Sequence, residues 1–432
     1  SLLSEVLDMP DVHDLFRWLG SLSFMEVQRE GLAAHDLARD ALMADLRWRS
    51  PDRYAELHER VRRYYNNAMQ RNPRQSTQLL IDYIFLHRDN TAVRSFFDWQ
   101  SSSLTTDSVA PLDIPELRAM VARHEGEESA ALAAYWIEQL PDHIHVYRNR
   151  KRELLGFLFL MPLQSLSKDQ LKLDPAARAA VDYLNASAPL REGEVATLFR
   201  FWMEKATYQS VSPVTSLIFV NMVRHYLFTP GLAMTLLPCS DPNFWMPMFS
   251  YADLTRVPAA DFTVGDRTYG VYSHDWRVRP PAAWLDLLAS REVAAAPALP
   301  DPRIEDMLVV MSRDAFESAV RDGLRSITRR HELRGNPILR SRLIISRAPS
   351  AADEDARLSL LQKLLQEAVE ALGRSPRDQK AYRALYHTFI QPAPTQEQAA
   401  ELLDVPFSTY RRHLKAGIDA VTDQLWSMEL SS

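Results

Sequence analysis

The chain has 432 residues, 46% apolar and 25% charged, and a formal net charge of -6. That length predicts two to four domains, each with its own core. The acidic balance excludes global attraction to nucleic acid or acidic membranes, so any such contact must come from a local patch. The single cysteine, Cys239, excludes an internal disulfide framework and a cysteine-built zinc site, and a reducing, cytoplasmic setting is the simplest fit. No run of about eighteen apolar residues occurs, so no transmembrane helix and no membrane partner are expected. No basic segment followed by an apolar stretch opens the chain, so no secretory signal is expected. The chain begins at Ser1, in what reads as the middle of a domain, which predicts a piece of a longer polypeptide.

Residues 1–100 are predicted to be mostly helical. Leu15, Phe16 and Leu19 share one side of a helix over Val12–Leu19. Ser23–Gln28 alternates like a strand, Arg29-Glu-Gly31 turns, and Leu32–His35 pairs back. Helices come next over Asp36–Arg49 and Asp52–Met69, the second burying Tyr54, Leu57, Val61, Tyr64 and Tyr65. Through Leu22-Ser-Phe24 and His35–Leu42 this module resembles the winged-helix domain that follows the nucleotide-binding module of STAND signalling ATPases. The resemblance implies packing on an upstream ATPase domain and a part in gating its nucleotide state. No Gly-x-x-x-x-Gly-Lys-Ser/Thr pattern occurs, so the chain carries no P-loop of its own. His35 beside Asp36 reads equally as a nucleotide sensor or as a helix cap with a half-buried histidine.

Residues 100–112, rich in serine, read as a linker ending at Pro111. An α/β pattern then occupies 112–292. A helix spans Leu117–Leu140, and strands span Ile144–Tyr147 and Leu154–Leu160 around the charged turn Asn149–Glu153. Another strand covers Val195–Met203, an apolar helix Ser216–Phe228, and a central strand Leu232–Leu237. A short helix over Asn243–Tyr251 and a hairpin over Asp261–Tyr272, turning at Gly265-Asp266, complete the pattern. This order of elements, with Asn243–Leu254 as the late helix running into the last strands, resembles the GNAT acyltransferase fold.

The GNAT resemblance implies acetyl-CoA, or another acyl-CoA, as ligand. That family grips the coenzyme A pyrophosphate with a Gln/Arg-x-x-Gly-x-Gly/Ala turn at a helix start, where amides and the helix dipole favour negative charge. The matching segment is Gln209, Ser210, Val211, Ser212, Pro213, Val214 and Thr215. Gln209 fits the pattern. Ser212 and Val214 replace the two small residues, and Pro213 removes a backbone donor. A degenerate sensor or scaffold domain, an active N-acyltransferase and an unrelated α/β core are therefore the alternatives. Acyl transfer needs a base and often a tyrosine acid, for which Glu204, Asp241 and Tyr251 lie in suitable segments without a motif to fix them. The catalytic residues stay unknown at this stage.

Other clusters carry less. Cys239 reads as a small core residue before it reads as a nucleophile. His143 and His145 share a strand face but have no carboxylate or cysteine at ligand spacing, so no metal is expected. Ser273-His-Asp275 holds triad letters, yet neighbours on an extended segment point in opposite directions. His124–Glu128 lacks the second histidine of a zinc-protease helix.

After an Ala/Pro-rich linker over 294–302, residues 303–432 are predicted to be helical. Asp314–Ile327 and Asp353–Leu372 are amphipathic, the latter through Leu358, Leu361, Leu364, Leu365 and Val369. Arg329, Arg330, Arg334, Arg340, Arg342 and Arg347 make the intervening segment basic. Near the end, Thr395 can cap a helix with Gln398 reaching back as a capping box. Asp404-Val405-Pro406 breaks that helix. Ser408 can cap the next, whose first turns carry Arg411, Arg412, His413 and Lys415. With Ala400 between the helices and Asp404 at the turn position usually taken by Gly, the stretch resembles the helix-turn-helix of sigma-factor region 4 and of LuxR-type regulators.

That resemblance implies double-stranded DNA as partner, contacted through Ser408, Thr409, Tyr410, Arg411, Arg412, His413 and Lys415. Thr409, Tyr410, Arg412 and His413 are expected to face bases, and Arg411 and Lys415 phosphates. A lone helix-turn-helix binds weakly, so a homo-oligomer is expected. The predicted fold class is α+β multidomain: winged helix, central GNAT-like α/β domain with mixed sheet, and C-terminal all-α helix-turn-helix domain. The predicted function is a DNA-binding transcriptional regulator. The alternatives are an acetyl-CoA-dependent N-acyltransferase and a signalling scaffold that binds no DNA.

Overall fold

A computed structural model describes residues 2–28, 31–71, 76–87, 90–97, 104–293, 308–348 and 353–431. The turn expected at Arg29-Glu30 and the linker expected at 294–302 lie outside them. The protein is α+β, with helices predominating around a mixed sheet of eight strands. It divides into two compact units. The first comprises 1–179, 196–274 and 279–299, and the second 180–195, 275–278 and 300–432.

The first unit begins with α1 (Leu2–Leu7), α2 (His13–Gly20) and an antiparallel pair, β1 (Met25–Gln28) with β2 (Gly31–Ala34). Then come α3 (Asp36–Arg49), α4 (Pro51–Arg71), α5 (Ser76–Phe85) and α6 (Thr91–Arg94). The buried side of α4 is Tyr54, His58, Arg62 and Met69, with Leu57, Val61, Tyr64 and Tyr65 only half-buried. Arg62 is tolerated there because its guanidinium reaches Asp286 Oδ1 at 2.7 Å and also bonds Glu59.

The segment read as a linker contains a strand instead, β3 (Thr105–Ser108), paired antiparallel to the next strand at the sheet edge. Two β-branched threonines favour extension, and serine-rich composition hid this. Asp113 anchors the entry to the first helix of the α/β region, accepting from Ala110 N at 2.7 Å and Arg148 Nη2 at 2.6 Å. The helix expected over Leu117–Leu140 is two, α7 (Ile114–Glu125) and α8 (Glu127–Gln139), broken at Gly126 with φ 94°.

Strands β4 (Ile144–Arg148), β5 (Leu154–Pro162) and β6 (Val195–Glu204) form an antiparallel meander. Between the last two lie α9 (Lys168–Leu173) and α10 (Pro175–Ser187). Helix α11 (Pro213–Phe228) then crosses to β7 (Leu232–Cys239), which neighbours β6. A helical crossover between neighbouring strands is the connection a parallel pair requires. Last come α12 (Pro242–Tyr251), β8 (Thr255–Arg256), β9 (Phe262–Val264), β10 (Arg267–Asp275) and α13 (Pro281–Val293). The strand order is β3-β4-β5-β6-β7-β10-β8, with β9 pairing β10.

Strands β5, β6 and β7 are buried almost end to end, as strands covered on both faces must be. One polar node is sealed inside. Arg200 Nε and Trp136 Nε1 both donate to Asp174 Oδ2 at 2.8 Å, and Ala176 N donates to its other oxygen at 2.9 Å. Pairing of this kind is what makes a buried charge tolerable.

The second unit contains α14 (Arg313–Arg325), α15 (Arg330–Leu333), α16 (Arg342–Ile345), α17 (Glu354–Gly373), α18 (Gln379–Leu385) followed by a π turn (Tyr386–Ile390), α19 (Gln396–Leu402) and α20 (Phe407–Ser431). Its own core gathers Phe316, Leu324, Leu358, Leu365, Leu385, Tyr410, Val421 and Leu425. Glu429 is buried there, accepting from Arg191 Nη2 at 3.1 Å and from Leu343 N at 2.6 Å. Gly417 lets α20 approach α18 closely: a Cβ there would lie 2.8 Å from Leu385 Cγ. Among the described residues no helix is long and apolar enough to cross a membrane.

Candidate functional site

In the second unit, Thr395 Oγ1 accepts from Gln398 N at 3.2 Å and starts α19. The chain leaves that helix through Asp404, whose φ of 55° is the left-handed turn read from the sequence. Aspartate holds such geometry at modest cost. Helix α20 then begins at Phe407, two residues earlier than a Ser408 cap would give, so Ser408 sits in its first turn and is not the cap. Arg383 Nη2 donates to Leu402 O at 3.1 Å and neutralises the carboxyl end of α19.

The expected contact residues separate by face. Tyr410, Leu414, Gly417, Ile418, Val421 and Leu425 point into the core. Tyr410 is therefore corrected as a base-facing residue: it is fully buried, with its hydroxyl 2.5 Å from Thr388 Oγ1. Ser408, Arg411, Arg412 and Lys415 are exposed, and the i, i+3/i+4 spacing places them on one arc. Thr409 and His413 are half-buried at its border. Among the described residues no carboxylate pairs with Arg411, Arg412 or Lys415. Burial first, and then Arg412 and Lys380, lower the pKa of His413. The upstream arginines differ: Arg329 bonds Glu332, Arg330 approaches Asp355, and Arg334 approaches Glu354 and Asp355. Those three guanidiniums have carboxylate neighbours.

In the first unit, the ends of β6 and β7 bring together Gln209–Thr215, but not as an open cradle. Tyr208, at φ 60°, turns the chain sharply after Glu204. The Gln209 side chain is buried. Its Oε1 accepts from Ser240 N at 3.0 Å and its Nε2 donates to Trp202 O at 3.4 Å. Ser212 caps α11, accepting from Thr215 N at 3.0 Å, while Thr215 Oγ1 donates to Ser210 O at 2.8 Å. Val214 is buried against Gly156, where a Cβ would lie 2.8 Å from Val214 Cγ1. Ser210 is exposed and Val211 half-buried. The Ser212 and Thr215 hydroxyls thus bond within the loop. The side chains of Gln209, Ser212 and Thr215 are thus engaged by the protein itself, and that of Val214 is packed against Gly156.

The carboxylates considered for catalysis accept local backbone hydrogen bonds. Asp241 caps α12 by accepting from Phe244 N at 3.0 Å, and Glu204 accepts from Thr207 N at 2.8 Å. Cys239 is buried, and burial pushes its thiol up to about 12, leaving no thiolate. Among the described residues no group of three or more His, Cys, Asp or Glu could hold a metal. A cluster missed in the sequence lies beside Tyr208 instead. The Tyr208 hydroxyl donates to Glu125 Oε1 at 3.0 Å. Burial pushes the Glu125 carboxyl up, opposed by Arg200 and by the Tyr208, Tyr269 and Ser129 hydroxyls. Burial and then Glu125 raise the Tyr208 phenol well above its ordinary range. Glu125 and Tyr208 are 83 residues apart, and only the fold joins them. A positive φ at a bulky residue, as at Tyr208, marks such places but cannot be read from sequence. Comparison with protein-family models and with curated proteins yields no match for this chain.

Proposed function

We propose that the protein is a DNA-binding regulator that places the first turns of α20 in a duplex major groove. One observation carries this reading: the exposed Ser408, Arg411, Arg412 and Lys415 arc, without carboxylate partners among the described residues, directly after the left-handed turn at Asp404. Helix-turn-helix modules present base- and phosphate-contacting side chains from the start of their second helix. Thr409, Arg412 and His413 face bases, and Arg411 and Lys415 hold phosphates. A second copy supplies the other half-site. The order of elements supports a GNAT-like sheet domain. Its self-closed Gln209–Thr215 loop supports a sensor or scaffold role without the coenzyme A grip. The β1–β2 hairpin between α2 and α3 supports the winged-helix reading of the opening module, and its exposed Val27, Leu37 and Trp48 suit a further partner such as an ATPase domain. Electrophoretic mobility shifts against a random duplex pool at low salt test the proposal. Wild type retaining no duplex ends it.

A second reading, amine N-acylation, is favoured by the Glu125–Tyr208 pair, which joins a carboxyl of raised pKa to a phenol. Acetyl-CoA should then raise the melting temperature, because a ligand of the folded state stabilises it. With neither DNA nor acetyl-CoA bound, the scaffold reading stands.

A further inference from the structure

We infer that a recess in the second unit binds a small organic molecule carrying a phosphoryl group. The recess measures about 350 Å³ and lies between the turn over residues 334–340 and the first turn of α17. That volume falls within the range of small-molecule sites. Its walls carry three guanidiniums, those of Arg334, Arg340 and Arg357, against one carboxylate, Glu354, among the described residues. The excess of two positive charges matches a phosphate monoester, which carries roughly -2 at neutral pH. Leu339 and Val309 add apolar wall, which suits an organic group beside the phosphoryl oxygens.

The arginines are not equally committed. Arg334 meets Asp355 at 3.3 Å and Glu354 at 3.8 Å, in pairs whose side chains are all exposed by half or more. Surface pairs of this kind are weak, so the Arg334 fork can turn to a ligand. Arg357 has no carboxylate partner among the described residues. Its Nη1 reaches Leu339 O at 3.4 Å, and its Nε is buried without a hydrogen-bond partner. A guanidinium with unfilled donors gains most from an incoming oxyanion, which accepts from it in charge-assisted bonds. The turn that carries Arg334 and Arg340 is fixed in advance. Asn336 Nδ2 donates to Ala319 O at 2.7 Å, Asn336 Oδ1 accepts from Ile338 N at 2.9 Å, and Val309 N donates to Arg340 O at 2.6 Å. The concave form favours a small molecule over a duplex backbone, and the inference does not rest on the DNA reading.

Phenyl phosphate, inorganic phosphate and phenol are the probes, titrated calorimetrically into the full chain at low salt. Phenyl phosphate should bind saturably at one site per chain, inorganic phosphate more weakly, and phenol not at all. Arg357→Gln should weaken phenyl phosphate by at least about tenfold, the loss expected when a charged donor is removed. Gly335→Glu is the second variant. A Cβ at Gly335 would meet nothing within 4 Å, so the added carboxylate should leave the melting temperature unchanged and repel the ligand by a similar factor. It covers the case in which Arg357→Gln does not fold. Absence of phenyl phosphate binding would overturn the inference, as would equal affinity for phenol or for inorganic phosphate. So would full affinity in either folded variant, or displacement of phenyl phosphate by duplex DNA.

Discussion

Tyr410 and Arg412 stand two residues apart on α20 and have opposite assignments. The tyrosine ring is interior and its hydroxyl meets Thr388, so Tyr410→Phe should cost about 1 kcal/mol of stability and leave DNA sequence preference unchanged. Chemical denaturation and a binding-site selection would check both halves. Arg412 is exposed and unpaired by carboxylate among the described residues, so Arg412→Ala should leave stability within about 0.5 kcal/mol and relax sequence preference. Glu429 belongs to the opposite class. It is buried against Arg191 and the Leu343 amide, and Glu429→Ala would strand a guanidinium, costing about 3–5 kcal/mol in the second unit's unfolding.

At the scale of elements, close approaches decide stability. Gly417→Ala would press a methyl onto Leu385 in the α18–α20 contact, which should cost about 1–3 kcal/mol, measured by thermal melting. Helix α4 and the residues just past α5 add a pH dependence. Burial, then Arg62 and Arg47, hold His58 down to about 4, and burial holds His87 to about 3. The unfolded chain takes up protons below about pH 6.5 while these folded rings do not, so stability is full above that pH and lost as pH falls. Each ring should contribute about 1 kcal/mol per pH unit between about pH 6 and pH 4. Denaturant titrations over that range should show the slope, and His58→Phe should reduce it.

Periodicity made most elements legible. The bounds of α3 are those read from Asp36 to Ser50-Pro51, and β4 to β7, α11 and α12 lie within a few residues of expectation. The β3 edge strand escaped because Thr105–Ser108 is short and polar, and the α7–α8 break escaped because one glycine in a helical pattern is ambiguous. The helical pair α9 and α10 went unread, although Ser167 and Gln170 form a capping box. Of the candidate sites, the cationic arc was legible because its spacing is local. The inward face of Tyr410, the self-closure of Gln209–Thr215 and the Glu125–Tyr208 pair were not, since each depends on partners brought together by tertiary contact.

For the whole molecule, charge sets the terms of the central proposal. A net charge of -6 opposes a polyanion, so attraction must come from a local patch, which the proposal places on α20, and must fall steeply with salt. Each phosphate neutralised contributes about 0.9 to the slope of log K against log salt. The most direct measurement is duplex affinity of the intact chain across a salt series, beside a variant with Arg411, Arg412 and Lys415 all replaced by Ala. The expected result is salt-sensitive binding in wild type and, in a folded variant, a slope smaller by about 2–3 with affinity near background. Identical affinity and slope in the two proteins, or no duplex retained by either at low salt, would contradict it.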